Sequence, residues 1–326
     1  MQNQWNHKVF NVQKEEFEAL ALEIFRFQYE NNPVYKTYVE ALFQDITTID
    51  AISKIPFLPV RFFKSQKVVT TDFEPQMVFE SSGTTGSVNS KHFVKSLALY
   101  EESFMRGFEM FYGSIKDYCI LGLLPSYLER DNSSLVYMVN KMIEQSGHPQ
   151  SGFYLDEYDK LTSVIIDLEK KKQKTLLIGV TFALLDFAGQ FPISMQCTTI
   201  LETGGMKGRR KEMIREELHG TLESAFKVPS IHSEYGMTEL LSQAYSKGDG
   251  IFNAPPWMKI LVRDEEDPLL VKQSGSGIIN IIDLANIFSS SFIATDDAGK
   301  IYDDGSFEVL GRIDGSDLRG CSLLTV

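Results

Sequence analysis

LLIGVTFALLDF (176–187) and TTILETGGMKGRRKEMIREEL (198–218) set the fold: each is a short apolar run that passes into a helical pattern. Working outward, CILGLLPSYLERDNSSLVYMVNKMI (119–143) repeats the order strand, loop, helix. VPSIHSEYGMTELLSQAY (228–245) is expected to do so again, with HSEYGMTE (232–239) ending a strand and opening a helix. Strands that alternate with helices predict an α/β fold, a largely parallel sheet covered by helices.

Toward the N-terminus, residues 14–43 read as helical, with Phe17, Leu20, Ile24 and Phe27 at helical spacing and a break at Asn31-Asn32-Pro33. IPFLPVRFFKSQKV (55–68) carries two prolines and reads as a loop with short extended pieces. MVF (77–79) and HFV (92–94) are strand-like, and Leu97, Tyr100, Phe104, Phe108 and Phe111 mark a helix face. Beyond residue 250 the texture changes: ILV (260–262), LLV (269–271), GIINIID (277–283), SFIAT (291–295) and FEVLG (307–311) are short strands. Turn signals such as DDAG and DDGS separate them. The expected organisation is an α/β core over 1–250 with an N-terminal helical segment, a small β-rich subdomain over 251–313, and a tail over 314–326.

Among 326 residues, 43% are hydrophobic and 23% charged, the balance of a soluble, well-cored protein. A net charge of −12 argues against nucleic acid or an anionic membrane as a bulk partner. No stretch is apolar for long enough to cross a bilayer, and MQNQWNHKVF lacks the pattern of a signal peptide. Cys119, Cys197 and Cys321 lie far apart without metal spacing, so a reducing cytoplasm is expected. The five histidines form no HExxH-like pair, which argues against a protein-ligated zinc.

The chemistry begins at FESSGTTGSVNSKHFV (79–94). Ser81, Ser82, Gly83, Thr84, Thr85 and Gly86 are all small, each offers a backbone N–H, and four carry hydroxyls. Such a run suits a nest of donors around a phosphate chain. It equally suits a polar turn between two strands. No lysine follows Gly86, so it is not a Walker loop. In HSEYGMTE, Tyr235 offers a flat face, Gly236 permits close approach, and Thr238 and Glu239 supply oxygen ligands where open α/β sheets place ligands. A carboxylate there can hold Mg²⁺ beside phosphates. Read alone, Tyr235 is as well a core residue and Glu239 a first-turn helix acid. TDDAG (295–299) and GRID (311–314) follow; carboxylates suit ribose hydroxyls and arginines suit phosphate oxygens, while DDAG also fits a hairpin turn.

SSGTTG, YGMTE, TDDAG and GRID in this order resemble the phosphate loop, adenine/Mg²⁺ motif, ribose motif and hinge of the acyl-adenylate-forming (ANL) superfamily. Its members include acyl-CoA synthetases, adenylation domains and luciferases. IPFLPVRFFKSQKV, LLPSYLERDNSSLVYM, ETGGMKGRRKEM and GRIDGSDLRGCSLLTV bring the chain closest to the acyl-protein synthetases of bacterial luminescence, the LuxE family. The resemblance implies an ANL-type N-terminal domain, with ATP and Mg²⁺ as cofactors. Ser81–Gly86 would wrap the β- and γ-phosphates, Tyr235 would stack on adenine, and Thr238 would contact the α-phosphate side. Glu239 would bind Mg²⁺, Gly204 and Gly205 would flank adenine, Asp297 would meet ribose, and Arg312 and Asp314 would mark the hinge. The family's large C-terminal domain, with its adenylation lysine, is expected to be absent. Val88-Asn89 stands where relatives often carry Pro-Lys. Lys91, Lys207 and Arg209 are therefore candidate cations for the α-phosphate.

The resemblance further implies ATP-dependent activation of a fatty or other carboxylic acid to acyl-AMP. The acyl group would then pass to Cys321 as a thioester, for delivery to a partner reductase. An unperturbed thiol is only a small fraction thiolate at neutral pH; Arg319 would help ionise Cys321 and Asp317 would oppose it. The alternatives are a small packing residue at Cys321, a ligase that passes its adenylate to coenzyme A or another carrier, and a nucleotide-binding regulator without catalysis. His232 is a candidate base or a structural histidine, and Arg130 meets either a carboxylate or a helix-end acid. Cys119 and Cys197 read as inert core residues.

Overall fold

The computed structural model describes residues 2–43, 45–81, 88–125, 132–155, 157–204 and 213–313. The chain opens with α1 (Gln2–Phe10), α2 (Phe17–Asn31) and α3 (Pro33–Leu42), then β1 (Leu58–Pro59) and the short α4 (Phe62–Ser65). The hairpin β2 (Met77–Glu80) and β3 (Lys91–Val94) leads into α5 (Leu97–Tyr112), β4 (Cys119–Leu123), α6 (Ser134–Ser146) and β5 (Gly152–Phe153). Next come α7 (Tyr158–Lys170), β6 (Thr175–Val180), α8 (Thr181–Gln190), β7 (Thr198–Thr203), α9 (Arg215–Phe226) and β8 (His232–Tyr235). The remainder is all strand: β9 (Ala244–Ser246), β10 (Ile251–Asn253), β11 (Met258–Arg263), β12 (Val271–Lys272), β13 (Gly275–Asp283), β14 (Phe292–Ile301) and β15 (Phe307–Arg312).

Local sequence explains most of these boundaries. In α2 the buried side chains Phe17, Leu20, Ala21, Ile24, Phe25 and Gln28 recur at helical spacing. Asn32 ends that helix and starts the next: its side chain accepts from Tyr35 N at 3.0 Å, with Pro33 in the first helical turn. Ser96 caps α5 and Ser133 caps α6 in the same way, and α6 ends at Gly147 in the left-handed region. Every residue of β4 and β6 is buried, as expected of parallel strands covered on both faces.

One hydrogen-bonded sheet runs in the order β12-β11-β13-β14-β15-β10-β9-β8-β7-β6-β4-β5, with β1 added alongside β14. From β5 to β8 the pairing is parallel; from β8 onward along this path it is antiparallel. The architecture is thus α/β with a mixed sheet, and the β-rich part after residue 250 shares one ladder with the parallel part. The β2–β3 hairpin forms a separate two-stranded sheet.

Two expectations from the sequence do not hold. No helix follows YGMTE: residues 236–243 form an irregular turn, and β9 returns antiparallel to β8. The cause is Asp283, whose Oδ2 accepts from Leu241 N (2.8 Å) and Ser242 N (3.0 Å) and whose Oδ1 accepts from Ser242 Oγ (2.6 Å). Backbone donors that a helix would pair internally go to a buried carboxylate some forty residues away, so tertiary bonding overrides local propensity. DDAG is likewise not a turn; Asp296–Gly299 lie within β14, which shifts register against β15 between Ala298 and Gly299. A Cβ on Gly299 would stand 2.7 Å from Glu308 O and 2.6 Å from Ile279 Cδ1, so the glycine permits close strand approach at a bulge.

Candidate active site

The parallel strands β7 and β8 end beside the switch to antiparallel pairing, and most of the described candidate residues gather at this edge. Tyr235 is the last residue of β8 and is buried. Its hydroxyl donates to Asp297 Oδ2 at 2.9 Å, and its ring meets Phe252 and Phe307 edge-on. Asp297 and Arg312 are direct cross-strand partners on β14 and β15, and Arg312 Nε donates to Asp297 Oδ1 at 3.0 Å. Three residues expected from separate motifs therefore form one bonded unit. Its ion pair is 9% and 6% exposed at the two side chains, shielded enough from water to hold a fixed geometry.

Gly236 follows directly. A Cβ there would lie 2.3 Å from Glu234 Oε1, so a side chain at this position would displace the Glu234 carboxyl. Thr238 and Glu239 come next, and Glu239 is fully buried. Glu239 O accepts from Asn286 Nδ2 at 2.7 Å, and Thr238 O lies 2.8 Å from His92 Nδ1. Gly204 closes β7 with φ +67°, and its carbonyl accepts from Thr181 Oγ1 at 2.8 Å.

At the hairpin, Ser81 pinches the base of the Ser/Thr/Gly loop. Its N–H donates to Ser90 O at 3.0 Å, and its Oγ accepts from Ser90 N at 2.9 Å. This hydroxyl closes the loop instead of facing outward. Lys91 pairs with Glu80 in register across the hairpin, Nζ to Oε1 3.7 Å, with over half its side chain exposed. Ser82, Gly83, Thr84, Thr85, Gly86, Arg130, Gly205, Lys207, Arg209, Asp314, Asp317, Arg319 and Cys321 lie outside the described residues.

His232 is placed apart from the Tyr235 unit. It opens β8, three residues or roughly 10 Å from Tyr235. Its Nδ1 is 3.2 Å from Tyr112 Oη, and burial, aided by the Lys247 charge, pushes its pKa down to about 4. At neutral pH it is a neutral, aromatic-packed histidine. Cys119 is buried on β4, where burial pushes its thiol up to about 11 and suppresses the reactive thiolate.

Sequence reasoning passed over several groups at this edge. His92, fully buried on β3, bridges Thr238 O and Asn286 Oδ1, the latter at 3.0 Å. Burial lowers its pKa, while the bond to Thr238, the Glu239 charge and the bond to Asn286 raise it. Burial outweighs these bonds, so the net direction is downward. Glu234 keeps partial solvent contact, yet burial of its carboxyl and the Glu202 charge push it up to about 7, against the hydrogen bond from Thr203 Oγ1. Glu202 is raised by burial too, with Thr181 Oγ1 donating to it. The available signal was Glu202 in ETGG and Glu234 in SEYG, each an acidic residue one position before the end of its strand.

Chemically, the described residues fit a magnesium nucleotide. A buried carboxylate beside a threonine is a hard-oxygen set of the kind Mg²⁺ takes together with substrate phosphates. The Tyr235–Asp297–Arg312 unit adds a flat ring, acceptor oxygens and a fixed cation. Among the described residues, no three His, Cys, Asp or Glu converge as a metal centre of their own, and no helix is long and apolar enough to cross a membrane.

Comparison with known proteins gives the family and the fold. A long-chain-fatty-acid–luciferin-component ligase from Aliivibrio fischeri is 23% identical over 349 residues, spanning 96% of this chain and 89% of that protein. Among solved structures, ATP-bound MatB from Rhodopseudomonas palustris superposes with a TM-score of 0.55 at 16% identity, over 74% of this chain and 49% of that one. A luciferase-like enzyme from the mealworm Zophobas morio gives 0.52 at 18% identity, over 78% and 61%. These likenesses show a shared fold, and this chain spans about half to three-fifths of those two structures. The profile described as acyl-protein synthetase, LuxE, matches residues 7–325, and the chain belongs to that family.

Proposed function

We propose that this protein activates a fatty carboxylic acid with ATP and then carries the acyl group on Cys321 as a thioester. In the first step a carboxylate oxygen bonds to the α-phosphorus, the bond from that phosphorus to the bridging oxygen breaks, and pyrophosphate leaves. The carboxylate is already ionised, so the protein's work is positioning and charge compensation. Bound Mg²⁺ would supply charge compensation at the phosphates, with Glu239 as its protein ligand. Tyr235, Asp297 and Arg312 would hold the nucleoside, and Ser82–Gly86 the phosphates, with Ser81 closing the base of that loop. In the second step the Cys321 thiolate attacks the acyl carbon, the carbon–oxygen bond to AMP breaks, and AMP departs. A reductase that takes a thioester is the fitting recipient.

The observation that carries the first step is the Tyr235–Asp297–Arg312 unit, next in chain to the turn bearing Thr238 and Glu239. Family membership supports the second. Intact-mass spectrometry after incubation with Mg·ATP and a panel of carboxylic acids tests both. A hydroxylamine-labile acyl adduct that maps to Cys321 and vanishes in Cys321→Ala, with pyrophosphate release retained, is the expected result. Turnover without an adduct points instead to a ligase using coenzyme A or another carrier. Nucleotide binding without pyrophosphate release means the protein is no ligase.

A further inference from the structure

We propose that His92 is a positioning residue for adenylation: it holds the Thr238–Glu239 turn against the hairpin that carries the Ser/Thr/Gly loop. The inference rests on the adenylation reading above. β2 and β3 pair only with each other among the described strands, so backbone ladders do not set the hairpin's place relative to β8. One backbone bond, Glu80 N to Asn132 O at 2.9 Å, ties the hairpin to the segment before α6, and side chains link it to the turn after β8. His92 is suited by its position on the buried side of β3. Its Nδ1 is 2.8 Å from Thr238 O and its Nε2 3.0 Å from Asn286 Oδ1, while Phe63 packs edge-on against the ring.

Asn286 extends the link. Its Nδ2 donates to Glu239 O (2.7 Å) and Ser290 O (2.9 Å), which fixes the amide so that Oδ1 faces His92. One imidazole and one amide thus tie the backbone oxygens of two consecutive residues to β3. Those residues bear the threonine and carboxylate assigned above to the nucleotide phosphates and Mg²⁺. The loop around Asn286 is itself anchored: Gln28 Nε2 donates to Asn286 O and Ile287 O, and Asn32 Nδ2 to Ser289 O. A continuous buried polar path therefore runs from α2 through Asn286 and His92 to the Thr238–Glu239 turn and to β3. Displacing a reacting group by about 1 Å can cost on the order of a hundredfold in rate.

The test compares wild type, His92→Leu, His92→Asn and the core variant Leu222→Ala, each assayed below its own melting transition. Pyrophosphate release with Mg·ATP and a long-chain fatty acid gives kcat and KM, and calorimetry gives Mg·ATP affinity without fatty acid. His92→Leu is expected to lower kcat on the order of a hundredfold and to weaken Mg·ATP binding about tenfold. The fatty-acid KM should stay within about threefold. His92→Asn, whose amide still donates toward Thr238 O, should recover part of both. Leu222→Ala should lose stability and keep wild-type kinetics. A folded His92→Leu with unchanged kcat and Mg·ATP affinity, or with losses matched by Leu222→Ala, overturns the proposal and leaves the adenylation reading standing. Should His92→Leu not fold, His92→Asn decides: intermediate losses support the proposal and wild-type values overturn it. Wild-type protein that releases no pyrophosphate removes the adenylation reading and this proposal together.

Discussion

Glu234 stands immediately before Tyr235, and its carboxyl is held up to about 7 against an ordinary value of 4.5. Around it are Thr203 and Glu202 on β7, Tyr100 and Tyr112 on α5 and Tyr245 on β9. Because the folded state binds this proton more tightly than the unfolded chain, the group costs no stability below about pH 4.5. Stability then falls as pH rises toward 7 and levels off above it. Glu234→Gln keeps an acceptor for Thr203 and removes the ionisation. Its melting temperature should match wild type at pH 5 and exceed it by a few degrees at pH 8, roughly 1 kcal/mol after solvent screening. Melting curves across that range check it; a constant difference between the two proteins would mean Glu234 does not titrate in this window. His232, by contrast, is held near 4 and carries no charge change around neutrality.

At the scale of elements, β14 carries the centre of the Tyr235–Asp297–Arg312 unit. Its first part pairs with β1 and β13, its second with β13 and β15, and the shift at Ala298/Gly299 aims Asp297 at both Tyr235 and Arg312. Gly299→Ala would press a methyl onto a backbone oxygen, which a flexible side chain cannot relieve. The expected cost is about 1–3 kcal/mol. Gly107, inside α5, has nothing within 4 Å of an added Cβ, so Gly107→Ala should be neutral or stabilise by up to about 1 kcal/mol. Urea unfolding of the two variants checks the contrast, and a Gly299→Ala protein as stable as wild type would show that the strands can part at the bulge without cost. YGMTE departs from its expected helix because Asp283 takes the N–H groups of Leu241 and Ser242, which a helix opening after Tyr235 would pair internally.

For the whole molecule, the N-terminal helices serve as the brace behind the site. Gln28, fully buried in α2, donates to Asn286 O and Ile287 O and accepts from Ser291 N at 2.9 Å. Gln28→Leu would strand those three backbone groups in the interior, at a cost of about 3 kcal/mol or more. Thermal melting should show a drop on the order of 5–10 °C, and an unchanged transition would mean the loop finds other partners. Much of this architecture was legible from local pattern. Apolar runs at 119–123 and 175–180 become strands buried on both faces, and Asn32-Pro33 divides two helices. These features depend on neighbours in sequence, through periodicity, capping and turn chemistry, so the chain itself carries them. The joining of Tyr235 to Asp297 across 62 residues, the use of Asp283 to hold a turn, the depth of Glu239 and the span of His92 from β3 to Asn286 have no such local signature. Buried polar groups must find partners wherever the packed chain brings donors and acceptors together, and only the assembled sheet specifies which ones meet.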